Sequence, residues 1–219
     1  EYTANANDSE DTFIIDSKEA LIEFARIAGT FYPRTKAVVT ADIDMTGYDW
    51  TPIKNFGEFE FDGGKDEGYS IKGLNAPLFA TAAAYIHNLN LTDVNIVVTD
   101  LLHSGAIACD LYGDIDNCSA SGTMKINPTM TESITGNDGD IVIGGLVGVT
   151  TSSEECYDLV NEVNVEISGT YKNAIIAAGL IGLGESCSLS NSTNLGSITY
   201  NGSSANHVFI GGLVVVCKE

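Results

Sequence analysis

Basic residues are scarce. Lys and Arg together number 10 against 30 Asp and Glu, a formal net charge of −20 over 219 residues. Nucleic acids and anionic bilayers are held by basic patches that displace counterions. Both are therefore excluded as the main partner, while a cation or a neutral polymer is not. Proline is also scarce, at 4 residues, and with 23 Gly the composition is neither collagen-like nor low-complexity. No run of about 18 apolar residues occurs, so no transmembrane span is expected. The five cysteines (109, 118, 156, 187 and 217) are odd in number and include no CxxC pair. Neither a compact zinc site nor a complete disulfide framework is expected from them. HExxH, Gly-x-Ser-x-Gly and GxxxxGK signatures are missing as well.

What is present begins with a polar stretch, Glu1 to Thr12, which reads as a processed N-terminal tether over residues 1–12. Residues 13–219 are expected to form one domain, and 44% apolar content allows a sizeable core. A helix is expected over about 16–29. Asp16 and Glu19 have capping-box spacing, Leu21, Ile22, Phe24, Ala25 and Ala28 recur at helical intervals, and Gly29 is a stop. From Ala37 the pattern turns to strands, with Val39, Ala41, Ile43 and Met45 on one face and Phe59 and Phe61 alternating with Glu58 and Glu60.

The second half repeats. Gly145-Leu146-Val147-Gly148 and Gly179-Leu180-Ile181-Gly182 are near copies, and Gly212-Leu213-Val214-Val215 is a third. Gly105-Ala106-Ile107-Ala108 and Pro77-Leu78-Phe79-Ala80 are weaker forms. With Phe79, Ile107, Val147, Ile181 and Val214 as equivalent anchors, the spacing lies in the solenoid range of about 20–45 residues. An apolar-x-Asn landmark follows four anchors and ends at Asn88, Asn117, Asn161 and Asn191, which are expected to stack on successive coils. Three short apolar strands per repeat, with variable polar turns, describe an all-β fold. It is a right-handed parallel β-helix of about five coils with a short N-terminal capping helix.

These motifs resemble the GLUG-motif β-helix repeats of bacterial surface and adhesin-like proteins, which also occur beside IgA-protease-like domains. The resemblance rests on the literal matches at 145–148 and 179–182. It is supported by Ala41-Asp42-Ile43-Asp44-Met45, Trp50-Thr51-Pro52-Ile53, Phe61-Asp62-Gly63 and Tyr69-Ser70-Ile71-Lys72-Gly73-Leu74. It covers about residues 37–216, with opening coils over about 37–76 and GLUG-like coils over about 77–219. It implies a protein secreted or anchored at the bacterial cell surface, and it implies no reaction.

Candidate chemistry is diffuse. Paired carboxylates occur at Asp42/Asp44, Asp114/Asp116, Asp138/Asp140 and Glu154/Glu155, and alternating pairs share a strand face. On so acidic a chain, solvated outer-face positions explain them as well. The run Asp62-Gly63-Gly64-Lys65-Asp66-Glu67 lacks EF-hand spacing and reads as a turn. His87, His103 and His207 fall in different parts of the pattern, and His87, between Ile86 and Asn88, should face outward. Trp50 reads as a core residue, whereas Tyr48, Phe56, Tyr112, Tyr157, Tyr171 and Tyr200 are candidates for exposed aromatics.

The expected function is therefore a non-catalytic extracellular module that binds a glycan or a host or cell-surface protein. No catalytic, metal or cofactor residue is assigned, and no individual ligand-binding residue. The loops at 129–140 and 150–157 are the expected places for a ligand. A carbohydrate-active β-helix enzyme using paired carboxylates is the alternative. The scarcity of basic residues after Lys72 (only Lys125, Lys172 and Lys218) argues against a uronate lyase.

Overall fold

Pairing in this chain is parallel throughout the described strands, and each strand hydrogen-bonds to the equivalent strand one coil away. The computed structural model describes residues 12–28, 35–99, 102–127, 139–151, 155–185, 187–204 and 206–218. The longest sheet climbs through Thr12–Ile15, Thr35–Val39, Ile53–Asp62, Phe79–His87, Ala108–Leu111, Val147–Thr150, Ile181–Glu185 and Val214–Lys218. From the fifth rung its far end continues as separate short strands, Ile115–Asp116, Glu155–Tyr157 and Ser188–Ser190. A second sheet runs from Ile43–Asp44 and Ile71–Lys72 through Asn90–Val98, Ser119–Ile126 and Val160–Ile167 to Thr193–Asn194 and Ile198–Tyr200. The third holds His103–Ser104, Ile141–Gly144, Ile175–Ala178 and Val208–Gly211, and Thr170–Tyr171 pairs with Ser203–Ser204 in a small fourth. The molecule is a parallel β-helix with more coils than the five expected. The opening coils expected over about 37–76 are rungs paired in parallel with the repeats, with register shifts between Ile53 and Lys54 and between Asn55 and Phe59.

Alternation along each strand sends every second side chain into the tube. In Val160–Ile167, Val163, Val165 and Ile167 are buried between the exposed Glu162, Asn164 and Glu166. Aromatic rings fill the N-terminal end: Phe24, Phe59, Phe61 and Phe79 contact one another at centroid distances of 5.4–6.1 Å. Aliphatic residues take over above them. Trp50 is in the core as expected, its indole N–H donating to the carbonyls of Pro77 and Leu78.

The helix spans Lys18–Ile27, and its N-cap is Ser17 rather than Asp16. The Ser17 hydroxyl accepts from the Ala20 amide, which satisfies one of the free N–H groups of the first turn. Leu21 and Phe24 are fully buried, so the helix closes the N-terminal end of the core. The Asn55 amide donates to the Ala28 carbonyl and ties down the helix end. Thr12, assigned to the tether, is already in the first strand, opposite Lys36. Gly29 and residues 1–11 lie outside the described residues.

Two landmarks shift. Phe79 and Val147 both pair with Ala108, not Ile107, and Gly105 therefore matches Gly144 rather than Gly145. The stacked outer column is Asn88, Asn117, Asp158 and Asn191, so Asn161 is not a member. All four members take left-handed φ values of 44–55°, which Asn and Asp tolerate better than other non-Gly residues. The amides link the rungs: Asn117 donates to Asn88 at 2.8 Å, Asn88 to Asp62 at 3.3 Å, and Asn191 to Asp158.

Asn161 instead begins a second, inner amide pair. It is 1% exposed, donates to Asn194 at 2.8 Å, and exchanges bonds with the backbone of Val163. The repeated glycine makes room for this pair. A Cβ on Gly145 would run into the Asn161 side chain and the Gly179 carbonyl, and one on Gly179 into Asn194 and the Gly212 carbonyl. Glycine is needed there because backbone and amide approach too closely for any side chain.

This arrangement orders two substitutions. Asn161→Ala should cost about 1–3 kcal/mol, because it strands buried backbone groups. Asn191→Gly, which keeps the left-handed turn at the exposed end of the outer column, should cost less than about 1 kcal/mol. Urea unfolding of the two variants checks this, and equal losses would contradict the inner-pair assignment.

Candidate functional site

On the outer face of the longest sheet, coil register gathers side chains that are far apart in the chain. Lys36 lies opposite Glu60 and Glu60 opposite Tyr85. Two residues along, Asp62, His87, Asp116 and Tyr157 form a column, with neighbours about 4.8 Å apart. The Lys36 ammonium is 2.8 Å from Glu60 Oε1 and 3.3 Å from Asp62 Oδ2, and His87 Nε2 is 2.8 Å from the same Glu60 oxygen. Asp62 also accepts from the Gly64 amide and from Asn88. From beside the column, the Tyr85 hydroxyl donates to Asp116 Oδ2, and the Tyr85 and His87 rings stack at 4.5 Å with 12° between planes.

The electrostatics follow from these contacts. Burial works against the Glu60 carboxylate, but bonds from Lys36 and His87 outweigh it and hold its pKa below the usual range. Asp62 is lowered in the same way, burial being outweighed by the Gly64 amide, His87, Asn88 and Lys36. Burial and the adjacent Asp116 push the Tyr85 phenol well above its ordinary value, and Asp116 raises Tyr157 likewise. Both phenols stay protonated at neutral pH and serve as hydrogen-bond donors, not bases.

Glu60, Asp62 and His87 offer one ligand atom each, all within 4.8 Å of one another. The donor set alone would suit a divalent cation. Lys36, bonded to both carboxylates, already supplies the cluster's positive charge, so the residues fit an internal ion pair better than a metal.

The other expected residues disperse. Asp42 accepts from the Ser70 amide and hydroxyl, Asp44 from the Thr46 amide and Asp140 from the Ala174 amide, all structural roles. Asp114 precedes Asp116 on the same coil and is half-buried, and of the paired carboxylates among the described residues only Asp116 joins the column. The Asp62–Glu67 run forms a turn with a short 3-10 segment, Lys65–Glu67. From it Lys65 reaches the Asn117 carbonyl and Asp66 accepts from the Asn117 amide. His103 pairs with Asp110 at 2.6 Å and His207 sits beside Asn206 in the last coil, so the histidines do not converge.

Among the aromatics, Tyr112 is exposed and Tyr157 is half-buried in the column with His87 and Asp116. Tyr171 is buried, its hydroxyl donating to the Ser168 carbonyl, which corrects its expected exposure. Tyr48 and Tyr200 are half-buried against the core. Cys109, Cys118, Cys156 and Cys187 are buried, and burial raises the Cys109 and Cys118 thiols to about 12, which makes them poor nucleophiles. Asp138, Glu154, most of loop 129–140 and residues 152–154 of loop 150–157 lie outside the described residues, as do the Phe56, Glu155 and Cys217 side chains. Among the described residues no helix is long and apolar enough to cross a membrane.

Reading the chain in linear order misses Lys36, Glu60 and Tyr85. The signal that finds them is the coil offset, which carries 36 to 60 to 85 and 62 to 87 to 116. Comparison with protein-family models, with curated proteins and with solved structures finds no match to this chain.

The Glu60 and Asp62 shifts have a stability consequence. Both carboxylates are lowered on folding, so their contribution is fully present above the ordinary carboxylate range and is lost as pH falls through the folded values. The urea midpoint should fall as pH is lowered below about 4.5, near the ordinary Glu pKa. Lys36→Met should flatten that fall, and an unchanged pH profile in the variant would contradict the ion-pair account.

Proposed function

We propose that this chain is a non-catalytic extracellular module that binds a neutral glycan along the outer face of its longest sheet. The observation that carries the reading is the Tyr85–His87–Asp116–Tyr157 group, in which the exposed Tyr85 ring and the half-buried His87 and Tyr157 rings border the Asp116 carboxylate, itself 7% exposed, on a rigid sheet. Sugar rings stack their C–H faces on aromatic rings, and sugar hydroxyls bond to carboxylates and amides. Asn88 and Asn117 flank the line and supply amides. The net charge of −20 favours a neutral ligand over uronates or phosphates. The glycine motifs at 145–148 and 179–182 and their resemblance to GLUG repeats support a place at a bacterial surface, either secreted or anchored. A host or cell-surface protein carrying such a glycan is the corresponding partner.

A carbohydrate-active enzyme is the second reading. It is favoured by one observation: Glu60 and Asp116 lie on coils either side of the one that carries His87. A glycan array followed by calorimetry on the best ligand separates the two readings when reducing ends are assayed on the same preparation. Binding without cleavage is expected, and Tyr157→Ala and Asp116→Asn should each weaken it about tenfold, the loss of one good contact. Sustained release of reducing ends, abolished by Asp116→Asn, would replace the binding module with the enzyme.

A further inference from the structure

Tyr112 and Asp114 stand outside the column, yet register sets both beside Tyr85. Leu111 pairs with Ala82 and Ile115 with Ile86, so the residues between them run in step on the two coils. Tyr112 is therefore opposite Ala83, and Asp114 opposite Tyr85. Backbone bonds fix this, from the Tyr112 amide to the Ala82 carbonyl at 2.8 Å and from the Ile86 amide to the Asp114 carbonyl at 2.9 Å. Gly113 lets the two coils close on each other here, since a Cβ on it would run into the Ala84 carbonyl.

The Tyr85 ring is held in place. Its hydroxyl is tied to Asp116, and His87, two residues along the same strand, covers one face of the ring at 4.5 Å. The other face looks along the strand toward Ala83, whose outward side chain is a single methyl. Tyr112 borders the same space from the next coil, one strand across and two residues along, roughly 8 Å from Tyr85 between Cα positions. Both tyrosines are exposed, at 38% and 52%. Together they wall a trough floored by Ala83. Carboxylates flank it: Asp114 stands opposite Tyr85, and Asp110 lies opposite Thr81 and is bonded to His103.

With the glycan reading above as its basis, we infer that this trough is a second sugar subsite, in which one pyranose of a neutral oligosaccharide stacks on the open face of Tyr85 against Tyr112. The ligand class follows from the lining. A sugar's C–H face packs on rings, and its hydroxyls donate to carboxylates, each of which accepts more than one hydrogen bond. Uronates and phosphates would meet like charge at Asp110 and Asp114. From His87 back to Thr81 the face runs six residues, roughly 20 Å at about 3.3 Å per residue. The bound chain therefore lies along the strands and is an oligosaccharide rather than a single sugar.

Calorimetry with cello-, manno- and malto-oligosaccharides of increasing length tests this. In a series that binds, affinity should rise with length beyond the monosaccharide. Tyr112→Ala and, separately, Ala83→Phe, which fills the trough, should each weaken the longer ligands about tenfold and flatten that rise, the loss of one good contact. A retained circular dichroism spectrum for each variant separates lost binding from lost folding. Binding weakened by Tyr157→Ala but by neither folded trough variant, or affinity that does not grow with length, would overturn the subsite and leave the glycan reading standing. No binding in any series or on the glycan array would remove that reading and the subsite with it.

Discussion

The structure depends on one constraint: each coil's backbone is hydrogen-bonded in parallel register to the coils beside it. That register turns a one-dimensional sequence into columns. Inside the tube the columns are apolar, and each new coil buries the face of the one before. At the corners they are Asn and Asp in left-handed turns, with side-chain amides that hydrogen-bond to the neighbouring coil. On the outer face of the longest sheet the same register brings Lys36 into contact with Glu60 and Asp62 of the next coil, and Glu60 into contact with His87 of the coil after it.

Glycine and asparagine act together within that constraint. Gly145 and Gly179 leave room beside the inner pair Asn161 and Asn194, whose amides also satisfy the backbone of Val163 and Gly196. A polar pair inside an apolar tube is tolerated because its hydrogen-bonding groups find partners there. This gives the Gly-Leu-apolar-Gly motif a packing reason that holds whatever the protein binds.

The fold was legible because burial writes itself into alternation and repetition. Phe59 and Phe61, the Gly-Leu pairs and Trp50 sit where their patterns place them. The errors have physical sources. Cys156-Tyr157-Asp158 fills the apolar-x-Asn position, with Asp taking the left-handed turn that Asn takes elsewhere, and Leu159-Val160-Asn161 mimics the motif three residues later. Gly105 was misaligned by one because two adjacent glycines, Gly144 and Gly145, occupy the matching corner of the next coil. The column on the outer face of the longest sheet was not legible in the same way. Asp62, His87 and Asp116 are unremarkable one at a time, and only the exact coil lengths bring them into line. Tyr171 shows the converse: its residue type suggested a surface role, but a strand position opposite Ser204 turns its ring into the core.

The central claim is that residues a coil apart interact because of register. The Tyr85–Asp116 hydrogen bond spans two coils and 31 residues of sequence, and it exists in no other alignment of the two coils. A double-mutant cycle with Tyr85→Phe, Asp116→Asn and the double variant, read by urea unfolding, measures the coupling directly. The account predicts a non-additivity of about 0.5–3 kcal/mol, as for residues in contact. Additive losses, within about 0.3 kcal/mol, would contradict the register on which the columns rest.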